Sequence, residues 1–128
     1  MIFIDSSYYI ARLIEDDKFH KRAIELESQL NEKRYINSTV LNETLNAFGR
    51  MGGAEINELF IYLNEMNEIV YLKEKDYDES VKLSGYYNSS INFSDCTILE
   101  SMQKLGINKI VSFDSDFSKI KGLSVINK

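Results

Sequence analysis

The stretch that decides the expected fold is Ile2-Phe3-Ile4-Asp5-Ser6-Ser7, an apolar run of three residues followed by an acid and two serines. A similar order returns at residues 110–116, where Asp114 and Asp116 follow another apolar run. Short runs that are rich in β-branched and aromatic side chains, and that end at polar residues, are typical of buried strands. We therefore expect each of these acids to lie where a strand ends.

Runs of this kind recur along the chain with helical segments between them. We predict strands at residues 2–4, 35–36, 69–72, 110–113 and 123–126. Apolar residues at helical spacing predict helices at residues 9–13, 23–30, 40–48, 56–66, 80–87 and 98–105. Strands that alternate with helices predict an α/β fold with a short, mainly parallel sheet of about five strands and helices on both faces.

Capping residues set the expected ends of two helices. Ser94 is a plausible N-cap for the sixth helix, and Gly106 lies where that helix would end. Asp76 and Glu79 resemble a capping pair that opens the fifth helix.

Length and composition indicate one domain that covers residues 1–128. The chain has 128 residues, 44% of them hydrophobic, and no proline, and it contains no repeat or linker-like segment. The single cysteine, Cys96, cannot form an internal disulfide. No apolar run approaches the ~20 residues that cross a bilayer, and residues 1–5 lack the basic start of a secretory signal. We expect a cytoplasmic protein without a membrane partner.

The net charge of −5 does not by itself indicate a nucleic-acid-binding protein, because bulk electrostatics would repel a polyanion. This objection weakens if several acids share one pocket. Divalent cations would then offset their charge and allow a phosphate to approach.

Four acids are expected to converge at one edge of the sheet. Asp5 and Asp114 each follow a strand, and the carboxyl ends of parallel strands share an edge. Asp95 lies in the first turn of the sixth helix, on the side that turns toward the sheet. Glu43 lies three residues after Val40 in the third helix, on a partly apolar stripe. Clustered carboxylates are the ligands that Mg²⁺ or Mn²⁺ prefers.

Each acid also has a structural interpretation. Asp5 and Asp114 are at positions where aspartate commonly caps a helix, and Asp95 is favoured near the positive end of the helix dipole. Glu43 on its own is as compatible with a surface position as with a site. A shared edge for all four favours a metal site over coincident caps.

Other polar residues carry weaker indications. His20 and Cys96 are given no catalytic role, since His20 lies in a polar stretch and Cys96 has no histidine near it in sequence. The apolar helix faces at Tyr8-Tyr9 and at residues 60–63 are expected to be exposed and therefore suggest a dimer. The nearest approach to a phosphate-contacting group is Arg12, Lys18, Lys21, Arg22 and Arg50.

Taken in order, several short motifs resemble those of the PIN domain family, and the size and layout are similar to its VapC toxins from bacterial and archaeal toxin–antitoxin pairs. The motifs that carry the resemblance are residues 3–7 (FIDSS), 39–43 (TVLNE), 93–96 (FSDC), 110–117 (IVSFDSDF) and 122–125 (GLSV). The resemblance spans nearly the whole chain. It implies an α/β/α sandwich around a short parallel sheet.

The resemblance also implies a set of site residues and partners. The catalytic residues would be Asp5, Glu43, Asp95 and Asp114, with Mg²⁺ or Mn²⁺ held by Asp5, Asp95, Asp114 and Asp116. Ser112 stands where many members have Thr or Ser beside the metal, and Ser6 follows the first acid as a small hydroxyl residue commonly does. The implied activity is endonucleolytic hydrolysis of RNA. The implied partners are a second copy of the chain and a VapB-type antitoxin peptide that enters the groove.

Two other fold classes fit the sequence less well. A ribonuclease H type fold would need an antiparallel meander after Asp5, where helices are predicted instead. A receiver domain would need an acid at the end of the third strand, and residues 69–72 end without one. Two alternatives within the family stay open: an RNA-processing nuclease outside any toxin pair, and a PIN-like module that binds RNA or protein without cutting.

Overall fold

The computed structural model of the protein describes residues 1–49 and 52–128. Within these residues, five strands form one sheet: β1 (Ile2–Ile4), β2 (Arg34–Asn37), β3 (Glu68–Val70), β4 (Lys109–Val111) and β5 (Ser124–Ile126). Their spatial order is β3-β2-β1-β4-β5, and every neighbouring pair is parallel. The predicted parallel sheet of five strands is confirmed, with β1 at its centre.

In the same described ranges, six helices flank the sheet: α1 (Ser6–Leu13), α2 (His20–Glu27), α3 (Ser38–Ala47), α4 (Gly53–Met66), α5 (Glu74–Tyr86) and α6 (Phe93–Leu105). A short 3₁₀ helix (Ser115–Lys119) follows β4. The α/β/α arrangement expected from the alternation of strands and helices is confirmed. None of the described helices is long and apolar enough to cross a membrane.

The cap predicted for α6 is wrong by two residues. The N-cap is Asn92, whose side-chain oxygen accepts a hydrogen bond of 2.8 Å from the backbone N–H of Asp95, so Ser94 lies inside the helix. Asparagine and serine are both good caps. Asn92 is the residue whose side chain accepts from an N–H of the first turn that has no partner within the helix. The predicted end at Gly106 is confirmed, since this residue has a left-handed φ of 71°.

The predicted Asp76–Glu79 pair at the start of α5 is also wrong. The helix begins earlier, at Glu74, and Lys73 is its N-cap. Asp76 lies in the first turn and its Oδ2 accepts a hydrogen bond of 2.9 Å from the Lys73 N–H. The acid therefore closes a capping box from inside the helix instead of opening it.

Strand β4 ends at Val111, two residues before the predicted end. The chain turns here because the Ser112 hydroxyl accepts a hydrogen bond of 3.0 Å from the Asp114 N–H. This local bond replaces the sheet pairing that a longer strand would need.

The hydrophobic core includes Tyr8 and Tyr9, which are both fully buried. Tyr9 donates a hydrogen bond of 2.9 Å to the Asn67 side chain, and Tyr8 donates one to Glu27. The prediction that the Tyr8-Tyr9 face is exposed for a dimer is therefore wrong. In the second predicted face, Phe60 and Ile61 are exposed on α4, while Leu63 is buried.

Candidate metal centre

The two central strands bring their following acids to one edge of the sheet. Asp5 comes directly after β1, and its N–H donates a hydrogen bond of 3.0 Å to the Val111 carbonyl at the end of β4. Asp114 lies three residues after Val111 and caps the 3₁₀ helix. The first turn of α6 adds Asp95 at the same place.

Asp95, Asp114 and Asp116 form a close set of carboxylates. One oxygen from each lies within 4.8 Å of an oxygen from each of the others. The three residues come from two separate parts of the chain, α6 and the turn after β4. Three of the four predicted metal ligands are thus brought together, and the charge of the fourth, Asp5, acts on Asp95.

Asp95 is a buried acid whose pKa is strongly raised. Its side chain is only 5% exposed, and its Oδ2 has no hydrogen-bond partner among the described residues. Burial, and after it the negative charges of Asp114, Asp5, Asp116 and Glu43 in that order, together raise the pKa of Asp95 to about 7. A buried carboxylate oxygen without a donor is costly, so a cation or a proton bound to this atom would stabilise the folded state.

Serine hydroxyls hold the Asp5 carboxylate in place. Its Oδ2 accepts hydrogen bonds of 2.7 Å from Ser7 and 2.8 Å from Ser112. Burial raises the pKa of Asp5; the two serines oppose that rise and the charge of Asp114 adds to it. The sequence analysis did not predict a supporting role for Ser7, although this serine lies only two residues after Asp5. Its hydroxyl also accepts a hydrogen bond of 3.0 Å from the Phe113 N–H.

Glu43 reaches the same edge from α3. It is half-buried, and its Oε1 accepts a hydrogen bond of 3.1 Å from the Ser6 hydroxyl. Burial raises the pKa of Glu43, and the charges of Asp5 and Asp114 raise it further, which means that it shares their electrostatic environment. The hydroxyl of the expected supporting residue Ser6 thus contacts Glu43, while its backbone bonds to Asp5.

The capping interpretation describes some of these acids in part. Asp114 does cap the 3₁₀ helix, since its Oδ1 accepts a hydrogen bond of 2.9 Å from the Asp116 N–H. Asp5 occupies the N-cap position of α1 but makes no side-chain capping bond. Asp116 forms an exposed ion pair of 3.0 Å with Lys119. Capping explains one oxygen of Asp114 and leaves the orphaned oxygen of Asp95 unexplained.

His20 and Cys96 lie outside this chemistry. His20 donates from Nδ1 to the Ala11 carbonyl over 2.7 Å, and Cys96 is a buried free thiol in α6. Neither residue belongs to the close set of carboxylates.

The donor set fits a hard divalent cation. Carboxylate oxygens are the preferred ligands of Mg²⁺ and Mn²⁺, and a cation among Asp95, Asp114 and Asp116 would satisfy the unpartnered oxygen of Asp95. It would also offset the mutual repulsion that raises the pKa of Asp95.

A family model described as the PIN domain matches residues 2–123. No curated protein matches the chain. The chain is similar in structure to VapC20 of Mycobacterium tuberculosis, described as a sarcin-ricin loop cleaving toxin, with a TM-score of 0.80 and 23% identity over 93% of this chain and 94% of that one.

Two solved complexes are also similar. One is a toxin–antitoxin complex from Klebsiella pneumoniae, with a TM-score of 0.76 and 17% identity over 98% of this chain and 96% of that one. The other is VapBC2 from Rickettsia felis bound to a DNA fragment from its promoter, with a TM-score of 0.69 and 18% identity over 100% of this chain and 99% of that one. At these identities the likeness establishes a common fold.

Proposed function

Since the chain belongs to the PIN domain family, we propose that it is a metal-dependent endoribonuclease that hydrolyses RNA phosphodiester bonds. The observation that carries the proposal is the buried, unpartnered Oδ2 of Asp95 beside the carboxylates of Asp114 and Asp116. A purely structural acid at this position would have a hydrogen-bond donor. The chain would act as one domain, in the cytoplasm.

The residues divide into two roles. Asp95, Asp114 and Asp116 would hold Mg²⁺ or Mn²⁺, with Asp5 as a further ligand that Ser7 and Ser112 orient. When bound, the cation supplies a Lewis acid that activates water and stabilises the negative charge on the phosphoryl oxygens.

Glu43 stands outside the close carboxylate set and suits the role of a general base. Its raised pKa makes the carboxylate a stronger base, and the hydrogen bond from the Ser6 hydroxyl fixes the position of one of its oxygens. In the proposed reaction Glu43 takes a proton from the attacking water while the water oxygen bonds to phosphorus. The bond from phosphorus to the 3′ oxygen breaks, and solvent protonates that oxygen. The products carry a 5′ phosphate and a 3′ hydroxyl.

The biological role that we propose is that of the toxin in a VapBC-type pair. The proposal is supported by the shared fold with VapC20 and with the two solved complexes described above. Its partner would be a VapB-type antitoxin, and the exposed Phe60 and Ile61 on α4 support a homodimer. Growth arrest on induction, relieved by Asp95→Asn, would distinguish a toxin from an RNA-processing enzyme.

The first experiment is cleavage of end-labelled RNAs by the pure protein with Mg²⁺, Mn²⁺ or EDTA. Asp95→Asn and Asp5→Asn are compared with Asp78→Asn, an exposed aspartate on α5 that serves as the matched control. We expect metal-dependent cleavage by the unmodified protein and the control, and none by the other two variants. Equal behaviour of all four proteins, with no metal binding, would overturn the proposal in favour of a binding module.

A further inference from the structure

A basic pocket lies at the start of α2. Its cavity of about 360 Å³ is lined by Lys18, Phe19, Lys21, Arg22 and Glu25. Three cations therefore face one carboxylate in a chain whose net charge is −5. Of the other basic residues predicted to contact phosphate, Arg12 does not line this pocket and Arg50 lies outside the described residues.

The cations of the basic pocket are exposed and are not engaged by acids. Across the described ranges, none of Lys18, Lys21 and Arg22 forms an ion pair, whereas six other basic side chains do: Lys33, Arg34, Lys82, Lys104, Lys109 and Lys119. Exposed cations without a protein counterion are available to an anionic ligand.

The Phe19 ring positions two of these cations. Lys18 Nζ lies 4.9 Å from the ring centroid and Arg22 Cζ lies 5.6 Å from it, which are distances of cation–π contacts. The same ring stacks on Phe113, with centroids 4.8 Å apart and planes inclined by 6°. The cation–π contacts with this stacked aromatic pair therefore restrict the movement of the Lys18 and Arg22 side chains.

Phe113 connects the basic pocket to the carboxylates. It stands in the chain between Ser112 and Asp114, and its N–H donates to Ser7, which in turn donates to Asp5. The pocket and the candidate metal centre are therefore joined through packed rings and hydrogen bonds.

We infer that the basic pocket binds the backbone phosphates of single-stranded RNA next to the bond that is cleaved. The inference rests on the proposed function and adds the surface that brings the substrate there. A chain of negative net charge repels RNA at long range, so a local set of cations without protein counterions would favour binding of the RNA backbone. Phosphate contacts of this kind fix the position of the strand and do not read its sequence.

The test is RNA binding by a triple variant, Lys18→Gln/Lys21→Gln/Arg22→Gln. The matched control is Lys33→Gln/Lys75→Gln/Lys82→Gln, which also removes three exposed positive charges. Both are made in the Asp95→Asn background so that RNA is not cut, and thermal melts establish that both are folded. Binding of a labelled single-stranded RNA is followed by fluorescence anisotropy at several salt concentrations.

We expect the pocket variant to raise the Kd by at least about tenfold at low salt and the control to leave it nearly unchanged. The slope of log Kd against log salt should fall by up to about 2, because each lost contact with a single strand removes about 0.7. Equal Kd values and slopes for the two triple variants would overturn the inference. This comparison is independent of cleavage.

Cleavage by the protein with intact acids separates the two failures. Metal-dependent cleavage together with equal binding by both triple variants would refute the basic pocket alone. Absence of cleavage by the unmodified protein would refute the proposed function, whatever the pocket binds.

Discussion

Ser112 donates a hydrogen bond of 2.8 Å to Oδ2 of Asp5 and thereby connects the end of β4 to the end of β1. Ser112 is fully buried, so the Ser112→Ala variant cannot replace this bond with one from bulk water. The hydrogen bond from Ser112 lowers the pKa of Asp5, so Asp5 in the variant should hold its proton more tightly. The variant should therefore bind Mn²⁺ more weakly. A hydrogen bond to a charged group contributes about 1.5–3 kcal/mol, which is the expected loss in the free energy of unfolding.

Calorimetric titration with Mn²⁺ and denaturant unfolding measure the two effects of Ser112→Ala. Ser28→Ala is the control, since Ser28 is exposed at the end of α2. A variant that matches this control in both measurements would contradict the positioning role of Ser112.

Asp95 should make the metal-free protein less stable as the pH rises. An unfolded aspartate titrates near 3.9, whereas burial and the neighbouring negative charges together raise the pKa of Asp95 to about 7. Between these pH values the folded state holds more protons than the unfolded state, so the free energy of unfolding falls with increasing pH. Asp95→Asn removes the buried charge, and its Tm at pH 7.5 without metal should exceed that of the unmodified protein by on the order of 5 °C.

Thermal melts between pH 5 and 8 in EDTA test this prediction about Asp95. With Mn²⁺ present, the unmodified protein should have a higher Tm than Asp95→Asn. Melting curves that shift in parallel across this pH range would contradict it. Asp78→Asn should follow the unmodified protein throughout, because Asp78 is exposed.

Mg²⁺ or Mn²⁺ should stabilise the folded protein through Asp114 and Asp116 as well as Asp95. A ligand present at 100 times its Kd adds about 2.7 kcal/mol to the free energy of unfolding. Asp114→Asn and Asp116→Asn each remove one member of the carboxylate set and should reduce this gain. Denaturant unfolding with and without metal measures it, and an undiminished gain in both variants would place the ion elsewhere.

Features of the site that depend on residues close together in sequence could be predicted, and contacts between residues far apart in sequence could not. The acids after β1 and β4 were located because strand ends follow from local composition, and the parallel sheet places those ends together. The contacts of Ser7 with Phe113 and of Ser112 with Asp5 join residues more than 100 positions apart, and no local pattern indicates them. The catalytic and metal-binding roles of the acids remain predictions.

The sequence also did not indicate whether the apolar helix face at Tyr8-Tyr9 is buried or exposed. The Tyr8-Tyr9 pair has the same helical spacing whether it faces solvent or a second helix, and only tertiary packing decides between the two. In the structure both rings are buried in the core, and their hydroxyls are satisfied by Glu27 and Asn67.

Glu43→Gln should separate catalysis from metal binding. The residue lies outside the close carboxylate set, so its loss as a general base should slow cleavage by about 10²–10⁴-fold while the Kd for Mn²⁺ changes little. Single-turnover cleavage and calorimetry measure the two quantities. Glu65→Gln, an exposed glutamate of α4, is the control. A parallel loss of metal binding would make Glu43 a ligand instead of a base.

Lys119→Ala should strengthen metal binding. Lys119 forms an ion pair of 3.0 Å with Asp116, so it competes with a cation for a carboxylate oxygen of the site and adds a repelling positive charge. The pair is exposed, and such pairs contribute at most about 1 kcal/mol, so the Kd for Mn²⁺ should fall by no more than about fivefold at low salt. Screening should reduce the difference in 0.5 M salt, roughly in line with a Debye length well under 10 Å. Lys121→Ala removes an exposed lysine two residues away and serves as the control. If calorimetry gives the two variants the same Kd at every salt concentration, Asp116 is not a ligand of the ion.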